Sequence, residues 1–169
     1  MVDGIVGLED SQASDIMTPR VDLIGIDRFG WRATTPLGTN DPADYLIFGA
    51  EVLAPCDGTV THAVGDRPDL PVPELDTQDR GGNELMIACG DVLIYLAHLR
   101  QGSLRVGVGD VVATGAPVAE VGNSGHSGEP HLHVHVQRGT SPEAPLRGVP
   151  LPVTFEGVFP LRNARFSGD

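Results

Sequence analysis

The chain has 169 residues, a formal net charge of −12 at pH 7 and a sequence pI near 4.7. This length favours one domain with a sizeable hydrophobic core, and the negative charge argues against nucleic acid or an anionic membrane as a partner, because both attract basic surfaces. All eleven basic residues are arginine, which excludes Schiff-base lysines, phosphate-binding P-loops and lysine-attached prosthetic groups.

The two ends of the chain show little sign of regular structure. Residues 1–19 are expected to form a flexible arm and residues 161–169 a short tail, which leaves a single β domain at residues 20–160. No stretch approaches the roughly 20 apolar residues of a membrane-spanning helix, and the N-terminal sequence lacks a basic flank followed by an apolar run. By sequence alone we therefore expect a cytoplasmic protein.

Short apolar runs separated by 22 glycines and 14 prolines dominate the rest of the chain, and none shows a sustained helical period. The pattern predicts an all-β protein with a sandwiched or barrel-like antiparallel sheet. Residues 66–82, rich in prolines and acids, are predicted to form a surface loop. The predicted strands are 21–26, 51–54, 58–63, 84–88, 92–99, 103–106, 111–114, 117–121, 131–137 and 153–155.

The only cysteines are Cys56 and Cys89, too few for a disulfide scaffold and without the spacing of a zinc or redox motif. Each lies beside a turn signal at the edge of a predicted strand, so the two are able to face each other across a strand pair. The sequence is compatible with either a disulfide or two buried free thiols, and a reducing cytoplasm favours the free thiols.

Three of the six histidines occupy alternate positions, at His131, His133 and His135. Alternate side chains of a strand share one face and lie about 7 Å apart, so three imidazoles are expected on one surface. His131 and His135 would be about 13 Å apart, so at most two of the three bind one ion directly. A solvated histidine-rich face is the alternative, but neutral imidazole is a common zinc ligand and the run favours a metal site.

His98 ends a further apolar run, in which Ile94 and Leu96 are expected to share its face. A histidine in such a place is often a satisfied core residue. Paired across the sheet with His131, it would instead take a proton from an attacking water or stabilise a developing oxyanion. His62 and His126 are predicted to face solvent rather than bind a metal.

Four segments, "VLAPCDGTV", "GNELMIACGDVLIYLAHL", "GSLRVGVGDVVATGAPVAEVGNSG" and "EPHLHVHV", follow one another along the chain. In this order and spacing, residues 21–137 resemble the lysostaphin-type (LytM-like) zinc metallopeptidase family. The resemblance implies a two-layer antiparallel β structure of the duplicated hybrid motif type. It also implies an enzyme of the cell envelope that uses one zinc ion to hydrolyse peptide bonds of peptidoglycan cross-bridges or stem peptides. The substrate peptide would lie in a groove walled by the loops at residues 32–45 and 66–82.

The same resemblance assigns roles to individual residues. His133 corresponds to a zinc ligand, and His131 and His98 correspond to the two catalytic histidines. The ligand aspartate of the family is best matched by Asp22, with Asp27 as the runner-up. In the implied reaction, zinc polarises the scissile carbonyl and activates water, while the catalytic histidines accept its proton and stabilise the oxyanion.

The chain departs from the family at the first zinc ligand. In the family a histidine precedes the ligand aspartate, whereas here the first histidine is His62, and Thr18 stands four residues before Asp22. A catalytic zinc site needs three protein ligands, so either Asp15 or His135 is a candidate for the third. The alternative is a catalytically degenerate module that binds peptidoglycan or regulates a partner cell-wall hydrolase. A phosphohistidine transfer domain of similar architecture fits the histidine motif less well.

Overall fold

The computed structural model describes residues 39–139 and 147–154, and it also defines the backbone of a strand at residues 21–23. The predicted arm at 1–19, the tail at 161–169 and the candidate ligand Asp15 lie outside these residues. No helix in the described part of the chain is long and apolar enough to cross a membrane.

Short antiparallel strands make up the described structure, as the glycine and proline punctuation predicts. One turn of 3₁₀ helix, Pro42–Asp44, precedes β2. The strands are β1 (Val21–Leu23), β2 (Glu51–Leu53), β3 (Gly58–Val64), β4 (Asn83–Cys89), β5 (Val92–Leu99), β6 (Val111–Val112), β7 (Pro117–Glu120), β8 (Leu132–Arg138) and β9 (Val149–Pro150).

The strands form two antiparallel sheets. A seven-stranded sheet has the order β1-β8-β5-β4-β3-β6, with β9 added beside β8, and a two-stranded sheet pairs β2 with β7. Strands β3, β4 and β5 are consecutive hairpin partners, whereas β8 returns from far along the sequence to lie between β1 and β5. This return places the histidine strand next to the end of β5 that carries His98.

The main core lies between the two sheets. Val52 and Val118 of the small sheet are buried in the same cluster as Leu85, Ile94 and Val136 of the large sheet. The opposite face of the large sheet carries a second buried cluster formed by Met86, Leu93, Tyr95 and Ala97. All eight residues of β5 are buried because both faces of this central strand are covered, which explains its continuous apolar run.

The all-β, two-layer antiparallel prediction is confirmed, but some strand boundaries were wrong. Residues 103–106 have no regular secondary structure and follow a turn in which Ser103 N–H donates to the Arg100 carbonyl. The last described strand is β9 rather than 153–155, and Val153 is buried without belonging to a strand. Strand β6 ends early because Thr114 N–H donates to the Asp57 carboxylate rather than to a neighbouring strand.

Cys56 and Cys89 form a disulfide, with their Cα atoms 6.0 Å apart. The bond joins the turn before β3 to the last residue of β4, across the strand pair that was expected to bring the two residues together. The preference for free thiols was therefore wrong: composition indicates whether a disulfide scaffold is possible, but the strand register decides whether two particular cysteines meet.

Candidate metal centre

Three histidines meet at the end of β5 and the start of β8. His98, His131 and His133 each offer a ring nitrogen, and these nitrogens all lie within 4.8 Å of one another. The ring centroid of His98 is 4.7 Å from that of His131 and 5.7 Å from that of His133. His98 is buried, while His131 and His133 are half-buried, so the group opens towards solvent on the side of β8. Three predicted site residues thus come together.

The protonation of His98 follows from its hydrogen bond. Its Nδ1 lies 2.9 Å from the carbonyl oxygen of Ser124. Because a carbonyl oxygen only accepts, Nδ1 carries the proton, and the lone pair of the neutral ring is on Nε2. The ring is thereby held in the tautomer that leaves Nε2 able to bind a metal or accept a proton.

His131 is held in the same tautomer by a different carbonyl group. Its Nδ1 lies 2.8 Å from the Glu129 carbonyl oxygen and 3.1 Å from the Ser127 hydroxyl. The Ser127 hydroxyl is fully buried and also lies 2.8 Å from Oδ1 of Asn123. The turn between β7 and β8 therefore supplies the contacts that orient both His98 and His131.

The register of the large sheet brings His133 opposite Ala97 of β5 on one side and opposite Asp22 of β1 on the other. Residues directly opposite in an antiparallel pair have their Cβ atoms about 4.5–5.5 Å apart. A carboxylate residue predicted as a metal ligand is thus the direct cross-strand neighbour of the histidine predicted as its partner.

His135 does not belong to the three-histidine group. It is buried opposite Tyr95, and its Nε2 lies 3.1 Å from Oε1 of Gln137. The Gln137 amide nitrogen donates to the Gly139 carbonyl, which fixes the amide orientation, so Nε2 of His135 is the donor to Oε1. The expected row of three neighbouring imidazoles is therefore divided, with His131 and His133 near His98 and His135 within the sheet.

The remaining two histidines lie away from the group. His126 is exposed, and its Nδ1 is 3.0 Å from the Asp76 carbonyl oxygen. His62 is half-buried, with Nε2 2.7 Å from a Glu84 carboxylate oxygen, so it pairs with an acid rather than facing solvent alone. Glu84 also accepts a hydrogen bond from the Tyr95 hydroxyl, and the Tyr95 ring makes an edge contact with His133 at 6.2 Å.

The acidic loop at residues 66–82 packs against the same turn. Asp69 accepts from the backbone N–H of Asn123, and Asp76 N–H donates to the Gly125 carbonyl. Backbone N–H groups of Asp79 and Gln78 hold the pKa of the Asp76 carboxyl below its usual value, so the loop carries a negative charge at Asp76. The loop is therefore built into the site rather than attached loosely to it.

A second wall comes from the segment before β2. Burial raises the pKa of the Tyr45 phenol, and the charge of the Glu129 carboxylate adds to the shift. Asn40 accepts a hydrogen bond from Val72 N–H, so this wall and the acidic loop are joined. The acidic loop thus borders the turn that carries the histidine contacts, and the described part of the other predicted wall is joined to that loop.

Sequence reasoning missed the buried polar residues behind the histidines. Asn83, Asn123, Ser124 and Ser127 are all fully buried, and each is hydrogen-bonded to backbone or side-chain groups next to the site. The signal was present as serine and asparagine among the glycines of "GNSGHSG". Such side chains readily bond to nearby backbone groups, but the partners of Ser124 come from β4 and β5 and the Asn123 amide bonds to Leu70 of the acidic loop, and these distant partners are not visible in the sequence.

The family comparison matches this segment of the chain. The model of "Peptidase family M23" matches residues 43–145, more than half of the chain. The chain belongs to peptidase family M23. The matched segment includes His98, His131 and His133 but begins after Asp22. Its first acid is Asp44, an exposed residue of the 3₁₀ turn whose carboxylate accepts from the Thr39 hydroxyl.

Solved structures of M23 peptidases are similar to this chain. Lysostaphin from Staphylococcus simulans is 25% identical, with a TM-score of 0.44 over 56% of this chain and 35% of that one. A zinc-containing peptidase from Vibrio cholerae is 25% identical, with a TM-score of 0.46 over 62% of this chain and 26% of that one. The mutant catalytic domain of the prophage-encoded M23 protein EnpA from Enterococcus faecalis is 19% identical, with a TM-score of 0.45 over 82% of this chain and 92% of that one.

The M23 chain described here spans only about a third of the lysostaphin chain and about a quarter of the Vibrio cholerae chain. No curated protein matches it.

The donor set fits a zinc ion. Imidazole nitrogen is a favoured zinc ligand, and histidines that bind zinc usually donate their second ring N–H to a carbonyl or carboxylate group. His98 and His131 already make such contacts with the carbonyl groups of Ser124 and Glu129. The group therefore offers nitrogen donors of the type that zinc prefers, and two of its rings are held in a fixed orientation.

Proposed function

We propose that this M23 protein is a zinc-dependent endopeptidase that hydrolyses peptide bonds of peptidoglycan cross-bridges or stem peptides at the cell envelope. The observation that carries the proposal is the convergence of His98, His131 and His133, with ring nitrogens within 4.8 Å of one another, in the segment matched by the family model. The substrate class rests on membership of a family whose relatives include lysostaphin, an antimicrobial peptidase.

In this proposal, His133 and Asp22 hold the zinc ion. The support is the register, which pairs the two residues directly across β8 and β1. The third ligand is Asp15 or His135, as the sequence suggests. Because His135 does not belong to the three-histidine group, Asp15 is the better candidate of the two. Bound there, zinc supplies Lewis-acid polarisation of the scissile carbonyl and of the attacking water.

His98 and His131 perform the proton chemistry. Each has Nδ1–H committed to a backbone carbonyl, so each offers a neutral Nε2 that is able to accept the proton of the attacking water. Once protonated, the same ring is a cation beside the developing oxyanion and stabilises it. The proton on that ring is then available to the leaving amine, which completes hydrolysis of the amide.

The test is zinc content by mass spectrometry on the purified chain, with matched histidine variants. We expect about one zinc per chain in the wild type, with loss in His133→Ala and retention in His126→Ala, since His126 is exposed and outside the group. Equal zinc loss in both variants would mean adventitious binding to surface imidazoles and would contradict the proposed site.

A second comparison identifies the carboxylate ligand. Asp22→Asn is expected to lower zinc content, whereas Asp44→Asn is expected to leave it unchanged, because Asp44 is exposed and lies outside the three-histidine group. If Asp44→Asn lowers the zinc content and Asp22→Asn does not, the carboxylate ligand is Asp44, which lies within the segment matched by the family model. Asp15→Ala and His135→Ala distinguish the two candidates for the third ligand in the same assay.

The missing first histidine favours a second candidate function. The chain has no histidine before His62, so a catalytically degenerate module that binds peptidoglycan, or regulates a partner cell-wall hydrolase, is the competing proposal. Absence of zinc after dialysis against zinc, combined with sedimentation of the protein with purified peptidoglycan, would favour this module. Release of new amino groups from peptidoglycan by the zinc-loaded wild type would rule it out.

A further inference from the structure

Strand alternation does not explain the position of His98. Ile94 and Leu96 of β5 point into the main core, so regular alternation would send His98 into the same core. Its ring instead contacts the rings of His131 and His133. Leu99, the next residue, is fully buried in the main core. The chain therefore changes face between Leu96 and Leu99.

The change of face occurs at a β-bulge. In the pairing of β4 with β5, Glu84 is opposite Ala97 but Asn83 is opposite Leu99, so His98 is the extra residue. His98 has a φ of +60°, the only positive φ at a non-glycine residue in the described part of the chain. This left-handed conformation is unfavourable for an L residue and persists only where surrounding contacts impose it.

Two fully buried polar side chains provide contacts that impose it. The Leu99 carbonyl accepts from Nδ2 of Asn83 at 2.9 Å and from the Ser124 hydroxyl at 2.7 Å. The same Ser124 oxygen accepts from the Asn83 backbone N–H at 2.9 Å. Asn83 and Ser124 thus close a ring of hydrogen bonds at the carbonyl of Leu99, the residue that follows His98.

The backbone and the ring of His98 are held by the same region. Its N–H donates to the Gly81 carbonyl at 3.1 Å, and its carbonyl accepts from Gly122 N–H at 2.9 Å. Its Nδ1–H donates to the carbonyl of Ser124 itself at 2.9 Å. Ser124 therefore acts on His98 in two ways: its carbonyl accepts from the ring, and its hydroxyl bonds to Leu99 and Asn83 on either side of the bulge.

We propose that Ser124 is a positioning residue for His98, acting through its buried hydroxyl on the Leu99 carbonyl and through its own carbonyl on the imidazole. Without the hydroxyl, Asn83 N–H loses its acceptor and the Leu99 carbonyl loses one of two side-chain donors, both in a buried environment. A regular strand, with the ring turned away from His131 and His133, then becomes the competing conformation.

The direct test is NMR of the histidine rings in the purified, ¹⁵N-labelled full chain. Long-range ¹H–¹⁵N correlation reports which ring nitrogen carries the proton. We expect the Nδ1–H tautomer for His98 in the wild type and shifted ring signals or a mixture of tautomers in Ser124→Ala. Ser124→Thr keeps the hydroxyl and is expected to restore the wild-type His98 signals.

Ser127→Ala is the matched control. Ser127 is equally buried, lies three residues away and contacts the ring of His131 rather than that of His98. We expect Ser127→Ala to shift mainly the His131 signals and Ser124→Ala mainly the His98 signals. Unchanged His98 signals in Ser124→Ala, or equal shifts of both rings in both variants, would overturn the positioning role.

Hydrogen exchange on the wild type keeps the proposal testable if Ser124→Ala does not fold. The N–H groups of Asn83, His98 and Gly122 all close the hydrogen-bonded ring around the bulge, so they should exchange as slowly as the central N–H groups of β5. Exchange at the rate of an exposed turn at these three positions would contradict a fixed bulge.

The catalytic consequence rests on the proposed function and is measured separately. In an active wild type, Ser124→Ala should lower kcat by about tenfold to a hundredfold with little change in KM, because a misplaced proton acceptor affects the chemical step rather than substrate binding. NMR shifts as expected in a protein without peptidase activity would contradict the proposed function and leave the positioning of His98 supported. Peptidase activity without the expected NMR shifts would support the proposed function and contradict the positioning role of Ser124.

Discussion

His98 shows how a single residue is able to override the pattern of its strand. Its sequence environment, an apolar run with alternating faces, predicts a core residue beside Leu96. The left-handed φ of +60° turns the ring out of the core and towards His131. The function proposed for this histidine depends on a backbone conformation that costs about 1–2 kcal/mol for an L residue.

A comparison of glycine and alanine at position 98 measures that conformation. Both His98→Gly and His98→Ala remove the imidazole, but glycine adopts a positive φ without steric cost. We expect His98→Gly to be more stable than His98→Ala by about 1 kcal/mol in urea unfolding. Ala97→Gly, at the preceding strand residue, should destabilise instead. Equal stability of the two His98 variants would mean that the left-handed conformation is not imposed.

The lowered pKa of the Asp57 carboxyl makes the stability of the fold depend on pH. Its carboxylate accepts from the backbone N–H of Thr114 at 2.7 Å and from the Thr114 hydroxyl at 2.9 Å, and these bonds hold the pKa of Asp57 below its usual value. A lowered folded-state pKa stabilises the folded protein above the unfolded-state pKa of about 3.9. That contribution is lost as the pH falls through the folded-state pKa.

The variant Asp57→Asn keeps an oxygen acceptor for Thr114 but removes the charge. We expect a lower urea midpoint than the wild type at pH 7 and a difference that shrinks below about pH 4, because the unfolded-state carboxyl binds its proton there, and that is lost once the pH falls below the lowered folded-state pKa. Asp66→Asn removes the same charge from an exposed side chain and serves as the control. A difference between wild type and Asp57→Asn that grows as the pH falls would contradict the assignment.

At the scale of elements, the site depends on the contact between the acidic loop and the turn that precedes β8. Gly82, at the end of the loop, has a φ of +65°, and a Cβ built there would lie 2.5 Å from the backbone carbon of Ser124. No side chain fits at this position unless the loop and the turn separate. The contact therefore requires glycine for both conformation and space.

Gly82→Ala is expected to destabilise the fold by about 3 kcal/mol, from the left-handed conformation and the backbone clash together. Gly90→Ala is the matched control, because Gly90 has a φ of +62° but no atom within 4 Å of a built Cβ, and it should cost only about 1–2 kcal/mol. The two free energies are compared by urea unfolding. Equal losses of stability in the two variants would mean that the loop moves away from the turn without destabilising the fold.

Predictability also differs among the elements. Strands β3, β4, β5 and β8 follow from runs of apolar residues bounded by turn signals, and they were predicted within one or two residues. The predicted strand at 103–106 was wrong because the backbone groups of Ser103 and Arg105 bond to Arg100 and to β7 in isolated contacts rather than in a ladder. Short edge segments lack the continuous pairing that makes hydrophobic periodicity informative.

At the scale of the whole molecule, the disulfide links two residues 33 positions apart. Closing a loop of this size in the unfolded chain is expected to stabilise the fold by about 3–4 kcal/mol in the chain-entropy model. We therefore expect reductant to lower the urea midpoint of the wild type. Without reductant, Cys56→Ser should be less stable than the wild type, and its stability should not change when reductant is added. A wild type that is equally stable with and without reductant would contradict a stabilising disulfide.

The sequence by itself determined the all-β class and the family resemblance and singled out the histidine run at 131–135, because turn residues and apolar periodicity are local signals and the histidine motif is contiguous. Only the tertiary structure decided which histidines meet. It separated His135 from the group, brought His98 into it through a bulge, and placed Asp22 opposite His133. These outcomes depend on register and on buried partners from distant strands, and no local pattern encodes the pairing of one strand with another.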